Sequence, residues 1–396
     1  MYKKKFFYNF ILPIVLLIVL LVGIDKYIVI QAEKYYPTSG INHFFDNPVK
    51  DKGLLLLNLS IKNGNIIYFG SSELNTDKKL HITSNPVNQY PNQNVDKDID
   101  IVGAAGAETL ITLIRIGSLD NIQSVPVLFN SSFTWFIDEQ YYTKGLLRQF
   151  SELQYYQFMK NDKIPIDLKI NVSKELSKRL KHNSLFNEAY LYAKLHSDKK
   201  ITNITIMSIL YPYYQARYYF LVFRDHLKAY KLVMKNRNHY VKTTHQIDWE
   251  NGEENITKRD YDLFEHSSDY FYIYKSKSNI LQKRIDKEKN RLKDSTIDNS
   301  NEYVYHKWYL NMCSSLNVKS ITIFNAVNGY YFDFAGMPFE KRKIYYDKMK
   351  GLQKSENLNY IDLEDVEYIP YYFRDEAHFT SKGWFDINER ICQNIK

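Results

Sequence analysis

Ile66-Ile67-Tyr68-Phe69 runs directly into Gly70-Ser71-Ser72-Glu73-Leu74, and this junction constrains the fold more than any other stretch of the chain. Four mostly apolar residues read as a strand buried on both faces. Gly-Ser-Ser reads as a tight turn that opens a helix. Such a junction belongs to the carboxyl end of a strand in an open α/β sheet, where ligands bind. A serine there projects into the crevice. Its backbone N–H lies at a helix start, where orphan donors and the dipole favour developing negative charge.

The rest of the chain carries the same alternation. Ile99-Asp100-Ile101-Val102, Val125-Pro126-Val127-Leu128-Phe129, Ser320-Ile321-Thr322-Ile323-Phe324 and Tyr360-Ile361-Asp362-Leu363 are predicted strands. Leu110–Ile116 and Gly383–Ile391 have helical character. Strands alternating with helices predict an α/β fold with a doubly wound, mostly parallel sheet. Gly103-Ala104-Ala105-Gly106-Ala107-Glu108-Thr109 follows the second strand with residues small enough for close backbone approach. The polar stretch 75–97, with His81, reads as a surface loop.

From about 140 to 310 the strand signal fades. Leu146–Met159, Lys174–His196, Tyr213–Met234 and Asp260–Leu292 have helical spacing, and Lys283–Lys293 is an alternating charge run of the kind a solvated helix face carries. This block is predicted to be a helical insertion into the α/β core.

The N-terminus predicts location. Lys3-Lys4-Lys5 precedes Phe6–Ile24, which has no charged residue and is long enough to span a bilayer. Asp25-Lys26-Tyr27 follows instead of a small-residue cleavage site, so an uncleaved anchor is expected. The lysines keep residues 1–5 in the cytoplasm and leave the rest outside, with 25–50 as a membrane-proximal linker and 51–396 as the extracellular domain. The net charge of +8 then favours anionic partners, phosphate-rich polymers or lipid headgroups, although a lysine- and asparagine-rich codon bias would give the same number. An extracytoplasmic domain argues against nucleic acid. Cys313 and Cys392 form neither a disulfide framework nor a metal spacing, and neither a metal nor a cofactor is expected.

Asp375 and His378 stand three residues apart near the C-terminus, on one face if the segment is a helical turn. A carboxylate so placed orients an imidazole, whose other nitrogen can take a proton from a serine. Asp375-Glu376-Ala377-His378 also spells a helicase box, but the chain has no phosphate loop to accompany it.

These residues resemble a known family. Gly70-Ser71-Ser72-Glu73, Gly103–Thr109 and Asp375-x-x-His378 resemble blocks I, II and V of SGNH (GDSL-like) hydrolases. The anchor, Phe69–Leu74, Phe150–Tyr156, Val327–Pro338 and Arg374–Trp384 are similar to one branch, the D-alanyl transfer proteins of teichoic acid D-alanylation, the DltD family.

The resemblance implies a cell-membrane protein of a Gram-positive bacterium that passes D-alanine through a serine ester onto lipoteichoic acid. Its partners would be a membrane-bound O-acyltransferase and a small membrane peptide. It implies Ser72 as nucleophile, His378 as general acid/base and Asp375 as its orienting carboxylate. The amides of Ser72 and Gly106 would hold the oxyanion. The third block departs from the family: Asn130-Ser131-Ser132 stands where a Ser-Pro-Gln-Trp-like string is usual, so Asn130 is the candidate third donor without being distinguished from its neighbours. Two rival functions remain open on sequence: a wall-facing esterase or transferase of another acyl group such as acetyl, and a non-catalytic assembly partner of an O-acyltransferase.

Overall fold

The computed structural model describes residues 11–75, 98–137, 142–240, 248–267 and 271–395. His81 and nearly all of the predicted 75–97 loop lie outside the described residues.

Helix α1, Leu12–Tyr35, opens with Pro13 in its first turn, where the missing N–H costs nothing. The stretch Leu12–Thr38 is long and apolar enough to cross a membrane, with a mean hydropathy of 2.4 over its most apolar 18 residues. The helix does not stop at Ile24 as the charge pattern predicts. It continues through Asp25-Lys26, because Ile28, Ala32 and Tyr36 are buried. Residues expected to be linker are therefore packed structure. The chain turns at Gly40, whose φ of +63° is left-handed. It then returns beside the second strand, with the Asn42 side chain donating to the Ile99 carbonyl and the Asp46 N–H to that of Gly103.

Helix α2, Leu55–Lys62, leads into β1, Ile66–Gly70. Then follow β2, Ile99–Gly103, helix α3, Thr109–Gly117, and β3, Val127–Ser132. The five strands pair in parallel in the order β2-β1-β3-β4-β5, completed by β4, Ser320–Asn325, and β5, Asn359–Asp362. Every residue of β1, β2 and β4 is buried, which is why these strands read as unbroken apolar runs. The chain order reverses between β1 and β3, and such a switch point opens a crevice at the strands' carboxyl ends.

The segment between β3 and β4 is helical, but its helices are cut differently from the predicted runs. The expected Leu146–Met159 helix is two, α4, Tyr142–Gln149, and α5, Glu152–Lys160. Ser151 divides them by accepting the Gln154 N–H as an N-cap. The expected Lys174–His196 helix is likewise α6, Ile166–Arg179, and α7, Asn187–Leu195, with Asn183 accepting the Leu185 N–H between them. Helix α8, Ile201–Asn236, is longer than predicted and carries Pro212 within it. Asp260–Leu292 is not one helix: α9, Gly252–Asp260, ends where it begins, and the run holds short pieces including α10, Lys275–Gln282, and the turn Ile285–Glu288. Helix α11, Asn301–Leu316, ends on left-handed Asn317 and feeds β4. Helix α12, Phe339–Ser355, joins β4 to β5, and α13, Ser381–Asn394, closes the chain with Thr380 as its N-cap. Cys313 is buried and Cys392 half-buried, both as free thiols.

Two contacts relate α1 to the sheet. Tyr36 donates to Asp100 at 3.4 Å, and the Tyr240 hydroxyl, whose backbone N–H is bonded to the Thr38 carbonyl, donates to Asp98 at 3.2 Å. The chain that leaves α1 is thereby docked on β2 and on Asp98 just before it.

Candidate active site

Ser72 sits just past the end of β1. The helix predicted after the Gly-Ser-Ser turn is a single 3-10 turn, Ser72–Leu74, closed by Leu74 N–H to the Ser71 carbonyl and Asn75 N–H to that of Ser72. So short a turn supplies no helix macrodipole, and the dipole expected to favour negative charge at the Ser72 N–H is absent. What fixes the turn is Glu73, which is buried and accepts the Ser71 N–H at 2.7 Å.

Asp375 and His378 are brought together by a loop, not by the predicted helical turn. One Asp375 oxygen, Oδ1, accepts the backbone N–H groups of Ala377 at 3.1 Å and His378 at 2.9 Å, which folds the segment around the carboxylate. The same oxygen meets His378 Nδ1 at 2.8 Å. Arg374 N–H to the His378 carbonyl and the Phe373–Phe379 bridge close the loop. It is held from outside by Tyr274, whose N–H donates to the Arg374 carbonyl, and by Asn328, whose N–H donates to that of Glu376.

Three side chains thus form one line. His378 Nε2 lies 2.9 Å from Ser72 Oγ, and Nδ1 lies 2.8 Å from Asp375. Burial alone would raise the Asp375 carboxyl, but the hydrogen bond and charge of His378 and the two amides hold it down at about 2. It is therefore ionised at any working pH and fixes the tautomer with the proton on Nδ1, leaving Nε2 as acceptor for the serine proton. Lys277 Nζ stands 3.9 Å from the second Asp375 oxygen.

The neighbourhood of Ser72 is a cavity of about 570 Å³ lined by Ser71, Gly106, Glu108, Trp135, Arg291 and Tyr331 among others. Gly106 has φ +82°, and a Cβ there would stand 2.9 Å from the Gly145 Cα, so only glycine fits. Its N–H donates to Ser71 Oγ at 3.0 Å. Ser71, read from sequence as a turn residue, therefore occupies the amide that the resemblance assigns to an oxyanion. Asn130 is fully buried within β3, with its Oδ1 accepting from Tyr68 at 2.8 Å. It is absent from the described cavity lining.

The lining contains groups the sequence reading passed over. Glu108 N-caps α3 in position and is bridged to Arg179 at 3.2 Å; burial, then the neighbouring Glu302, keeps its carboxyl well above the ordinary range. Arg291 lies in the charge run read as a solvated face, yet its guanidinium bonds Glu288 at 2.8 Å and Tyr331 at 3.1 Å. Its spacing from Glu288, three residues, was the available signal.

Glu73 gives a test of this environment. Burial pushes its carboxyl from 4.5 up to about 7, against the hydrogen bonds from the Ser71 and Glu73 amides and the charge of His378. That displacement corresponds to roughly 3 kcal/mol. The folded chain keeps a proton that the unfolded chain releases, so stability falls as pH rises from about 4.5 through about 7. Glu73→Gln retains an oxygen for the Ser71 N–H and cannot ionise. It should melt above the wild type at pH 8 and close to it near pH 4, by calorimetry.

Residues 45–396 match the family model described as DltD protein. Protein DltD of Bacillus subtilis (strain 168) is 24% identical over 357 residues, which are 88% of this chain and 87% of that protein. Protein DltD of Staphylococcus aureus (strain NCTC 8325 / PS 47) is 22% identical over 331 residues, 83% of this chain and 80% of that protein.

Proposed function

Since the chain belongs to the DltD family, we propose that its part in teichoic acid D-alanylation is that of a serine acyltransferase, taking D-alanine onto Ser72 and passing it to lipoteichoic acid. One observation carries this reading: the hydrogen-bonded line from Ser72 Oγ through His378 to Asp375.

Ser72 Oγ attacks the carbonyl of the incoming D-alanyl group while His378 Nε2 takes its proton. His378 returns the proton to the leaving group as the first bond breaks. An acceptor hydroxyl then gives its proton to Nε2 and attacks the ester, and the serine regains its proton on departure. The amides of Ser72 and Gly106 face the oxyanion, Gly106 releasing Ser71 Oγ to do so. Asn130, turned to Tyr68, has no part in this scheme. Arg291 puts a cation on the cavity wall, as suits a polyanionic acceptor, and Glu108, whose carboxyl is held toward its neutral form, adds a polar group beside it. The anchor α1 holds the site on the outer side of the cell membrane, where a membrane-bound O-acyltransferase and a small membrane peptide would deliver the acyl group.

The test is capture of the intermediate. Full-length protein from cells with an active D-alanylation system, quenched in acid, should carry D-alanine on the peptide containing Ser72, and neutral hydroxylamine should remove it. Absence of the adduct from both wild type and a variant with slowed deacylation would remove the covalent mechanism.

A further inference from the structure

Residues 201–216 of α8 contain no charged side chain, in a chain that is 25% charged. One face of this half-helix packs inward: Tyr214 is buried against Tyr156 of α5 and Tyr192 of α7. The other face exposes Ile201, Ile204, Ile209 and Tyr213 and, farther along, Tyr219 and Phe220. A solvated helix face is ordinarily polar, and a contiguous apolar one marks a partner or a membrane.

The contacts between α8 and α1 indicate which. Asp25 meets His226 at 2.8 Å, Ala32 packs in one cluster with Ala229 and Val233, and Thr38 bonds Asn238 at 3.3 Å. The first and last of these pairs are separated by 201 and 200 residues, so the two helices run parallel and in step. Followed toward its N-terminus, α1 becomes the candidate span. Followed the same way, α8 leads toward the same bilayer but parts from α1, whose Ile14–Ile24 are exposed and uncovered by it, and its half from His226 to Ile201 is roughly 37 Å long at 1.5 Å per residue. Next to this half lies an apolar groove of about 550 Å³ walled by Ile166, Ile170, Leu195, Ile204, Met207 and Tyr211. Lys199 and Lys200, largely exposed, flank the helix start, where long cationic chains reach headgroups. Tyrosines along the face suit the membrane–water boundary.

We infer that the first half of α8 is a second membrane contact, its apolar outward face lying in the interfacial layer of the bilayer that α1 crosses. The occupant is lipid. This rests on reading α1 as a membrane span.

The full chain carrying Cys392→Ser and Ile209→Cys, labelled with an environment-sensitive fluorophore, is reconstituted into vesicles of phosphatidylcholine and phosphatidylglycerol. Cys313 is fully buried and stays unlabelled. Matched proteins carry the label through Ser355→Cys, between α12 and β5 at the amino edge of the sheet, or through Val19→Cys in α1. Nitroxide-bearing lipids should quench the position 209 label at least about two-fold more than the position 355 label, as expected for a face set into the headgroup boundary. Quenching at 19 with equal, weak quenching at 209 and 355 overturns the inference while the span stands. An α8 face kept for another membrane protein would give that result, with position 209 open to aqueous iodide. No quenching at 19 overturns the span and the inference with it.

Discussion

Cells whose only copy carries Ser72→Ala should lose the D-alanine esters of their lipoteichoic acid at unchanged protein abundance. Removing the nucleophile from a serine–histidine–carboxylate line costs on the order of 10⁴–10⁶ in rate, because Ser72 Oγ is the hydroxyl that the His378 base meets. Alanine leaves no cavity to speak of at a half-buried turn, so a folding defect is not expected. Asp375→Asn should cost about 10⁴ in transfer, since an amide cannot hold the proton on Nδ1. With its carboxyl near 2, Asp375 stays charged through the working range, so acidification to pH 5 will not mimic the variant. The double variant should be no worse than Ser72→Ala alone, because the residues act as a unit. Normal ester content in Ser72→Ala cells would leave the chain a binding or assembly role.

Arg342→Ala should destabilise the domain by about 3–5 kcal/mol, the usual result of stranding one member of a buried ion pair. The Arg342 and Glu367 side chains are both fully buried. The guanidinium bonds Glu367 at 2.6 and 2.9 Å, Asp333 at 2.7 Å and the Met337 carbonyl at 2.6 Å. The second Glu367 oxygen accepts from Tyr346 at 2.7 Å, and its backbone carbonyl accepts the Gly329 N–H. This knot ties the segment after β4 to the segment after β5, and the latter carries Asp375 and His378. Burial already raises the Glu367 carboxyl, and Arg342 is the main influence that lowers it. Without Arg342 the group will hold its proton to higher pH. The loss of stability should therefore be larger at pH 8 than at pH 5, in thermal melts of the purified chain. Equal deficits at both pH values would show that the charge is not what is stranded.

Strands β1 to β4 were legible because they are covered on both faces, so burial and apolar run coincide, as in Ile66–Phe69 and Ile321–Phe324. Helix ends in the insertion were not. Ser151 and Asn183 cap from within runs whose spacing continues past them, and only their hydrogen bonds reveal the breaks. The serine, aspartate and histidine could be named, but not how they meet: Asp375 uses its own following amides, which spacing cannot distinguish from a helical turn. Asn130 was read as a strand end because Asn-Ser-Ser looks like one. In fact the ladder with β4 runs on to Ser132, and the pleat turns Asn130 toward Tyr68. Glu108, Arg291 and Tyr331 converge from three distant segments, and nothing local to any of them announces the others.

The docking of residues 36–46 on β2 has a mechanical consequence. A loose tether would let the domain swing and search a hemisphere of space. Here the chain that leaves α1 is stitched to β2, Tyr36 to Asp100, Asn42 to Ile99 and Asp46 to Gly103. With α1 in a bilayer, Ser72 works at one set height above it, like a tool on a fixed arm. The site then meets its acceptor by drifting sideways in the plane of the membrane. If the proposed transfer onto a membrane-rooted polymer holds, the units that fold down to this height are the ones it reaches.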